Sequence, residues 1–142
     1  TLKRVQKYAK NSGEYGAWYM LNVYPQRATN PDDMDTKPDM EIHRNNLTAI
    51  KNLLSKIKEA DVWCAWGNTI EKRKYLYDLL LGNTEKGIDS IISLFNTNYH
   101  FKVYGSTVKG CPKHPLIISN NDKLKDLTEI GLMELNNKIL AI

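Results

Sequence analysis

Cysteine is scarce in this chain: Cys64 and Cys111 are the only two in 142 residues. They stand far apart, with no further Cys or His at ligand spacing. Neither a zinc site nor a disulfide framework is expected, and no metal or cofactor is assigned. Cys64 sits in an apolar run and reads as a small core residue. Long apolar runs are missing too, and no signal peptide is visible, so a cytoplasmic protein without a membrane partner is expected. Nor does one sign of charge dominate: 20 Lys and Arg against 16 Asp and Glu leave a net charge of +4. That leans only mildly toward a polyanionic partner. Internal repeats and low-complexity segments are absent as well. What remains is ordinary for a globular domain, 42% hydrophobic and 25% charged, in a length that suits one domain spanning 1–142.

The order of elements follows from periodicity. Leu2, Val5, Tyr8 and Ala9 share one helical face, and Asn11-Ser12-Gly13 closes that helix. The chain thus opens on Thr1 inside a folded element, as a fragment or tag-cleaved N terminus would. Residues 17–23 form a nearly continuous apolar run, expected to be a strand covered on both faces. Tyr24 to Glu41 holds three prolines and is expected to be a long loop. Asn45 or Asn46 can cap the next helix, whose stripe is Leu47, Ile50, Leu54 and Ile57. A buried strand follows at 61–66 and ends in Gly67.

Helices are then expected over 71–81, closed by Gly82-Asn83, and over 85–95. A third strand at 99–104 alternates in the manner of a sheet edge. The loop 105–115 follows, and 120–142 carries a helical pattern through Leu124, Leu127, Ile130, Met133, Ile139 and Leu140. Strands alternating with helices predict a three-layer α/β/α sandwich with a mostly parallel sheet.

Three motifs fall at the C-terminal ends of the apolar runs. They are Asn22-Val23-Tyr24-Pro25-Gln26-Arg27-Ala28-Thr29-Asn30-Pro31, then Ala65-Trp66-Gly67-Asn68, then Gly105-Ser106-Thr107 leading into Pro112-Lys113-His114-Pro115-Leu116. In a parallel sheet such ends share one edge, and ligands bind in the crevice outside it.

These motifs resemble those of an uncharacterised bacterial and phage domain family, in the same order and over nearly the whole chain up to Ser119. More distantly they are similar to the uracil-DNA glycosylase superfamily, with a strand ending in Asn, a later one ending in Gly, and a late His-Pro loop. Here His114-Pro115-Leu116 stands where those enzymes have His-Pro-Ser. The resemblance implies a glycosylase-like sandwich acting on DNA, in repair, modification or conflict with phage. It also implies an earlier loop that positions the attacking water, and nothing like that loop occurs before Asn22. The expectation is a chain starting just after it, with the sandwich's N-terminal strand upstream. The alternative is a domain lacking the catalytic half of its site.

Cleaving an N-glycosidic bond needs donors aimed at the charge that develops on the departing base. A base inside a duplex must first be flipped into a pocket and read along its edge. Asn22 can read it, since a carboxamide offers donor and acceptor together, or it can simply bond backbone at a strand end. Tyr24 is grouped with it as base-binding. His114, held between two prolines, is the candidate catalytic donor, against the plainer role of a satisfied loop residue. His43 and His100 have no such setting.

Arg27 and Thr29 suit a phosphate or a base rim, although Arg27 can equally brace the loop through Asp32 or Asp33. Lys109 and Lys113 suit phosphate, or are merely solvated. Trp66 can stack on a base or fill the core. Gly67 allows close backbone approach, and Asn68 caps a helix or walls the pocket. The expectation is a protein that recognises a modified base in DNA and excises it with an activated water. A module that binds a base or nucleotide without cutting is the alternative, and an enzyme acting on a free nucleotide is a third reading.

Overall fold

Val5, Tyr8 and Ala9 give helix α1 (Leu2–Ser12) one apolar side, and Val5 is buried there in the computed structural model. The structure describes residues 2–26, 30–119 and 121–127. Strands β1 (Ala60–Trp63) and β2 (Tyr99–Val103) run parallel, pairing Ala60 with Tyr99 and Trp63 with Lys102. A parallel pair needs a crossover, and helix α3 (Tyr75–Leu81) lies within it. Strand β3 (Lys125–Asp126) adds antiparallel to β2, giving the order β1-β2-β3. The fold is therefore mixed α/β.

The core lies around α3. Leu79 is fully buried, with Leu76, Leu80, Ile70, Tyr24, Tyr75, Ile88 and Cys111 around it. A second cluster joins Leu47 and Ile50 of helix α2 (Met40–Leu54) to Ile91. No helix among the described residues is long and apolar enough to cross a membrane.

Several expectations are corrected. Residues 17–23 form no strand, and Trp18 through Leu21 are exposed. An apolar run is not a strand until a neighbour accepts its backbone hydrogen bonds, and none of the described strands pairs with it. Helix α2 begins well before Asn45, because Asp39 in extended backbone accepts the Glu41 N–H and caps it there. Asn46 instead donates to the Asn22 carbonyl at 2.9 Å.

Strand β2 is central rather than an edge, since β3 pairs with it and Leu127 N–H donates to Phe101 O. Residues 125–126 are thus extended instead of helical; residue 120 and residues from 128 onward lie outside the described residues. The expected helices at 71–81 and 85–95 are shorter. A 3-10 turn (Gly67–Lys72) precedes α3, and only Ile92–Leu94 turns helically in the second. There the Ser90 hydroxyl donates to Leu80 O and accepts from Ser93 N–H, competing with regular helix bonding.

Candidate functional site: the Gly67–His114 junction

Beyond β1, Cys64 N–H still bonds Lys102 O at 2.8 Å before the chain turns away at Trp66. Gly67 takes φ +62°, and its N–H donates to Pro112 O at 2.9 Å. A Cβ at Gly67 would stand 3.0 Å from His114 Cβ, so only glycine lets these two segments close together. Beyond β2, residues 105–113 fold back on themselves. Thr107 N–H donates to Cys111 O at 2.7 Å, and Lys113 N–H to Gly105 O at 3.1 Å. The Thr107 hydroxyl donates to Asn68 Oδ1 at 2.7 Å and accepts from Cys111 N–H at 3.2 Å, tying the two motifs together.

His114 sits at the start of the 3-10 turn Pro115–Ile117, and its Nδ1 accepts the Leu116 N–H at 3.2 Å. That bond assigns the proton of the neutral ring to Nε2. Burial holds the imidazole below its ordinary value of 6.5, which favours this neutral form. Helix α1 reaches the same turn: Arg4 Nη1 donates to the carbonyls of Pro115 at 3.2 Å and Leu116 at 2.9 Å.

The two loop lysines are each held by a carboxylate. Lys109 Nζ lies 2.9 Å from Glu71 Oε2, and Lys113 Nζ lies 3.0 Å from both oxygens of Asp122. Asp122 also accepts from Ser119 N–H at 2.8 Å and from its hydroxyl at 3.1 Å. The Ser119 N–H and the Lys113 ammonium together hold the Asp122 carboxyl below its ordinary value of 3.8. A depressed folded value means that this group's stabilisation is complete above the ordinary carboxylate range. It is lost as pH falls through the depressed value. Hydrogen exchange at the Ser119 amide should therefore accelerate below about pH 4 in wild type, beyond the intrinsic pH trend. In Asp122→Asn it should already be fast at pH 7.

Trp66 packs against the core cluster that includes Tyr24 and Cys111, and its buried indole N–H has no partner among the described residues. Tyr24 is itself buried; its hydroxyl donates to Asp35 Oδ2 and accepts from Asp39 N–H. Both its bonds serve the 24–39 loop. Asn22 is exposed and tied by its carbonyl to α2, with no hydrogen bond to the junction among the described residues. Arg27 and Thr29 lie outside the described residues. The loop-bracing role considered for Arg27 is filled by Arg73, which donates to the carbonyls of Asp32, Met34 and Asp35, while Lys72 pairs with Asp32.

The structure thus brings together Trp66, Gly67, Asn68, Thr107, Lys113 and His114. Arg4, Glu71, Thr107 and Asp122 were not singled out from the sequence. Thr107 stands inside a quoted motif, but Arg4 and Asp122 act across distances that no local pattern marks.

The model of the DUF1643 family, described as proteins of unknown function, matches residues 1–116. The chain belongs to this family. In this DUF1643 protein the matched stretch contains α1, β1, β2 and the whole Gly67–His114 junction, and stops before β3. No curated protein and no solved structure matches the chain.

Proposed function

We propose that this DUF1643 protein recognises a nucleobase at the Gly67–His114 junction and excises a modified base from DNA by N-glycosidic hydrolysis. The observation that carries the reading is the bonding of His114. With Nδ1 occupied by Leu116 N–H and burial favouring the neutral ring, Nε2–H is a donor with no hydrogen-bond partner among the described residues. A neutral donor aimed at a base oxygen stabilises charge as the glycosidic bond breaks, without first giving its own proton away. Gly67 lets the His114 loop close against the strand-end backbone, its own N–H given to Pro112 O, and Asn68 and Thr107 offer a braced polar wall. The glycosylase-like three-layer sandwich is part of the same proposal, supported by the parallel β1–β2 pair and its helical crossover.

A second reading, a base reader that does not cut, is favoured by one feature. Among the described residues, the carboxylates that bind the junction's lysines, Glu71 and Asp122, are both engaged by them, so neither is poised to activate water. Abasic-site formation on oligonucleotides carrying a panel of modified bases separates the two. Wild type should produce abasic sites on one class of base, and His114→Ala should slow that by about 10²–10³, the cost of one transition-state donor. The acid limb of the rate should fall below pH 6.5, the ordinary histidine value, because the folded ring resists protonation. Equal rates from wild type and His114→Ala would remove the histidine from the mechanism. Selective binding without cleavage would make the protein a reader.

A further inference from the structure

Helix α1 carries Lys3, Arg4, Lys7 and Lys10 and no acidic residue. At 100° per residue, Lys3, Lys7 and Lys10 form one stripe opposite Val5, Tyr8 and Ala9. The apolar side is already used: Val5 is buried, and the Tyr8 ring lies 5.1 Å from Tyr104 and 6.0 Å from Trp63. The lysine stripe is exposed. Elsewhere Lys72, Lys86, Lys102, Lys109 and Lys113 each face a carboxylate, whereas none of the ion pairs among the described residues involves Lys3, Lys7 or Lys10. Lys37, Lys51, Lys56, Lys58 and Lys74 are in none of those ion pairs either, but they are spread over other segments, whereas the cations of α1, with no acid among them, match the chain's net charge of +4.

The two flanks of α1 differ. On one, Arg4 grips the carbonyls of Pro115 and Leu116 beside His114. On the other is an open groove of about 310 Å³, lined by Gln6, Lys10, Tyr15 and Trp18 among others. Trp18 is 37% exposed there. At the Tyr15 end stand two carboxylates, Glu14 and Asp61, and Asp61 accepts the Tyr15 hydroxyl. Their charge turns a bound polyanion toward the lysines and away from that end.

We infer that α1 and the Trp18 groove form a path for single-stranded nucleic acid, crossing the helix toward the Gly67–His114 junction. Sequence-tolerant single-strand binding pairs a cationic track for phosphates with an aromatic face for stacking, and here Lys10 at the end of the track lines the same groove as Trp18. Stacking on Trp18 requires an unpaired base, which a duplex does not offer. A bilayer is a poorer fit, because insertion needs the apolar side of α1, which is packed against Trp63 and Tyr104. The direction of the path rests on the base-recognition proposal for His114; the binding surface itself does not.

Fluorescence anisotropy tests it, using labelled single strands and the matching duplex over a salt series. Wild type should prefer the single strand. In the triple variant Lys3→Gln, Lys7→Gln, Lys10→Gln, the slope of log affinity against log salt should become shallower by about 2, at roughly 0.7 per neutralised phosphate contact. Trp18→Ala should bind about tenfold more weakly and Trp18→Phe nearly as wild type, matching the value of one stacked base. Lys86→Gln, on a lysine already paired with Asp78, should change nothing. These variants should weaken every oligonucleotide alike, whereas His114→Ala should alter preference among bases and leave the salt slope in place. Hence a normal salt slope without base preference would sink the His114 reading but keep the surface. An unchanged slope in the triple variant, equal binding of duplex, or capture by phosphatidylserine vesicles in place of oligonucleotides would overturn the path.

Discussion

Gly67→Ala should lower stability by about 1–2 kcal/mol and abolish ligand binding at the junction. The first effect comes from the backbone: φ +62° is left-handed, where a side chain costs about that much. The second comes from contact, since the new methyl would meet His114 Cβ at 3.0 Å. His114 cannot retreat freely, because Leu116 N–H holds its ring and Arg4 holds the next two carbonyls. The loop must shift, carrying Nε2–H away from its aim. Gly87→Ala separates the two effects, for Gly87 has φ +66° with nothing within 4 Å. Thermal melting should show both variants destabilised, while only Gly67→Ala loses base binding. Normal binding by Gly67→Ala would show that the close approach has no role in recognition.

Leu79→Ala should cost about 2–5 kcal/mol, the range for emptying a fully buried leucine site. Leu79 is 0% exposed and stands at the centre of the cluster that includes Ile70, Tyr24 and Cys111. Its carbonyl also accepts Ile91 N–H at 3.1 Å, which links α3 to the second cluster. Against a typical domain stability of about 5–15 kcal/mol, such a loss removes a large share. The urea midpoint should fall with little change in slope. Cys111 and Ile70 line the same core directly beneath the junction, so base binding should weaken in parallel. A loss under about 1 kcal/mol would mean that α3 is not the centre of the core.

What could be read from the sequence was what local pattern controls. The one-sided spacing of Val5, Tyr8 and Ala9 marks α1, and the runs at 61–66 and 99–104 mark the parallel pair, although the first strand is Ala60–Trp63 and ends earlier than its run. Gly67 and the His114 loop, found as separate strand-end motifs, do converge. What could not be read depends on partners distant in the chain. The apolar run at 17–23 has strand composition but no adjacent strand among those described, and β3 is extended because β2 offers it an edge. Lys113 and Lys109 look like phosphate ligands in sequence; only the fold brings Asp122 and Glu71 to them. Tyr24 sits in a motif of apparent chemistry, yet Asp35 and Asp39 take both its bonds.

The most direct test of base recognition at the junction is NMR of the ¹⁵N-labelled protein titrated with short single strands differing at one central base. Signals from the Gly67 and Asn68 amides and from His114 Nε2–H should shift, saturably and to an extent that depends on that base. The Lys3, Lys7 and Lys10 amides should shift equally with every strand. Shifts that spare Gly67, Asn68 and His114, or that ignore the identity of the central base, would contradict the account.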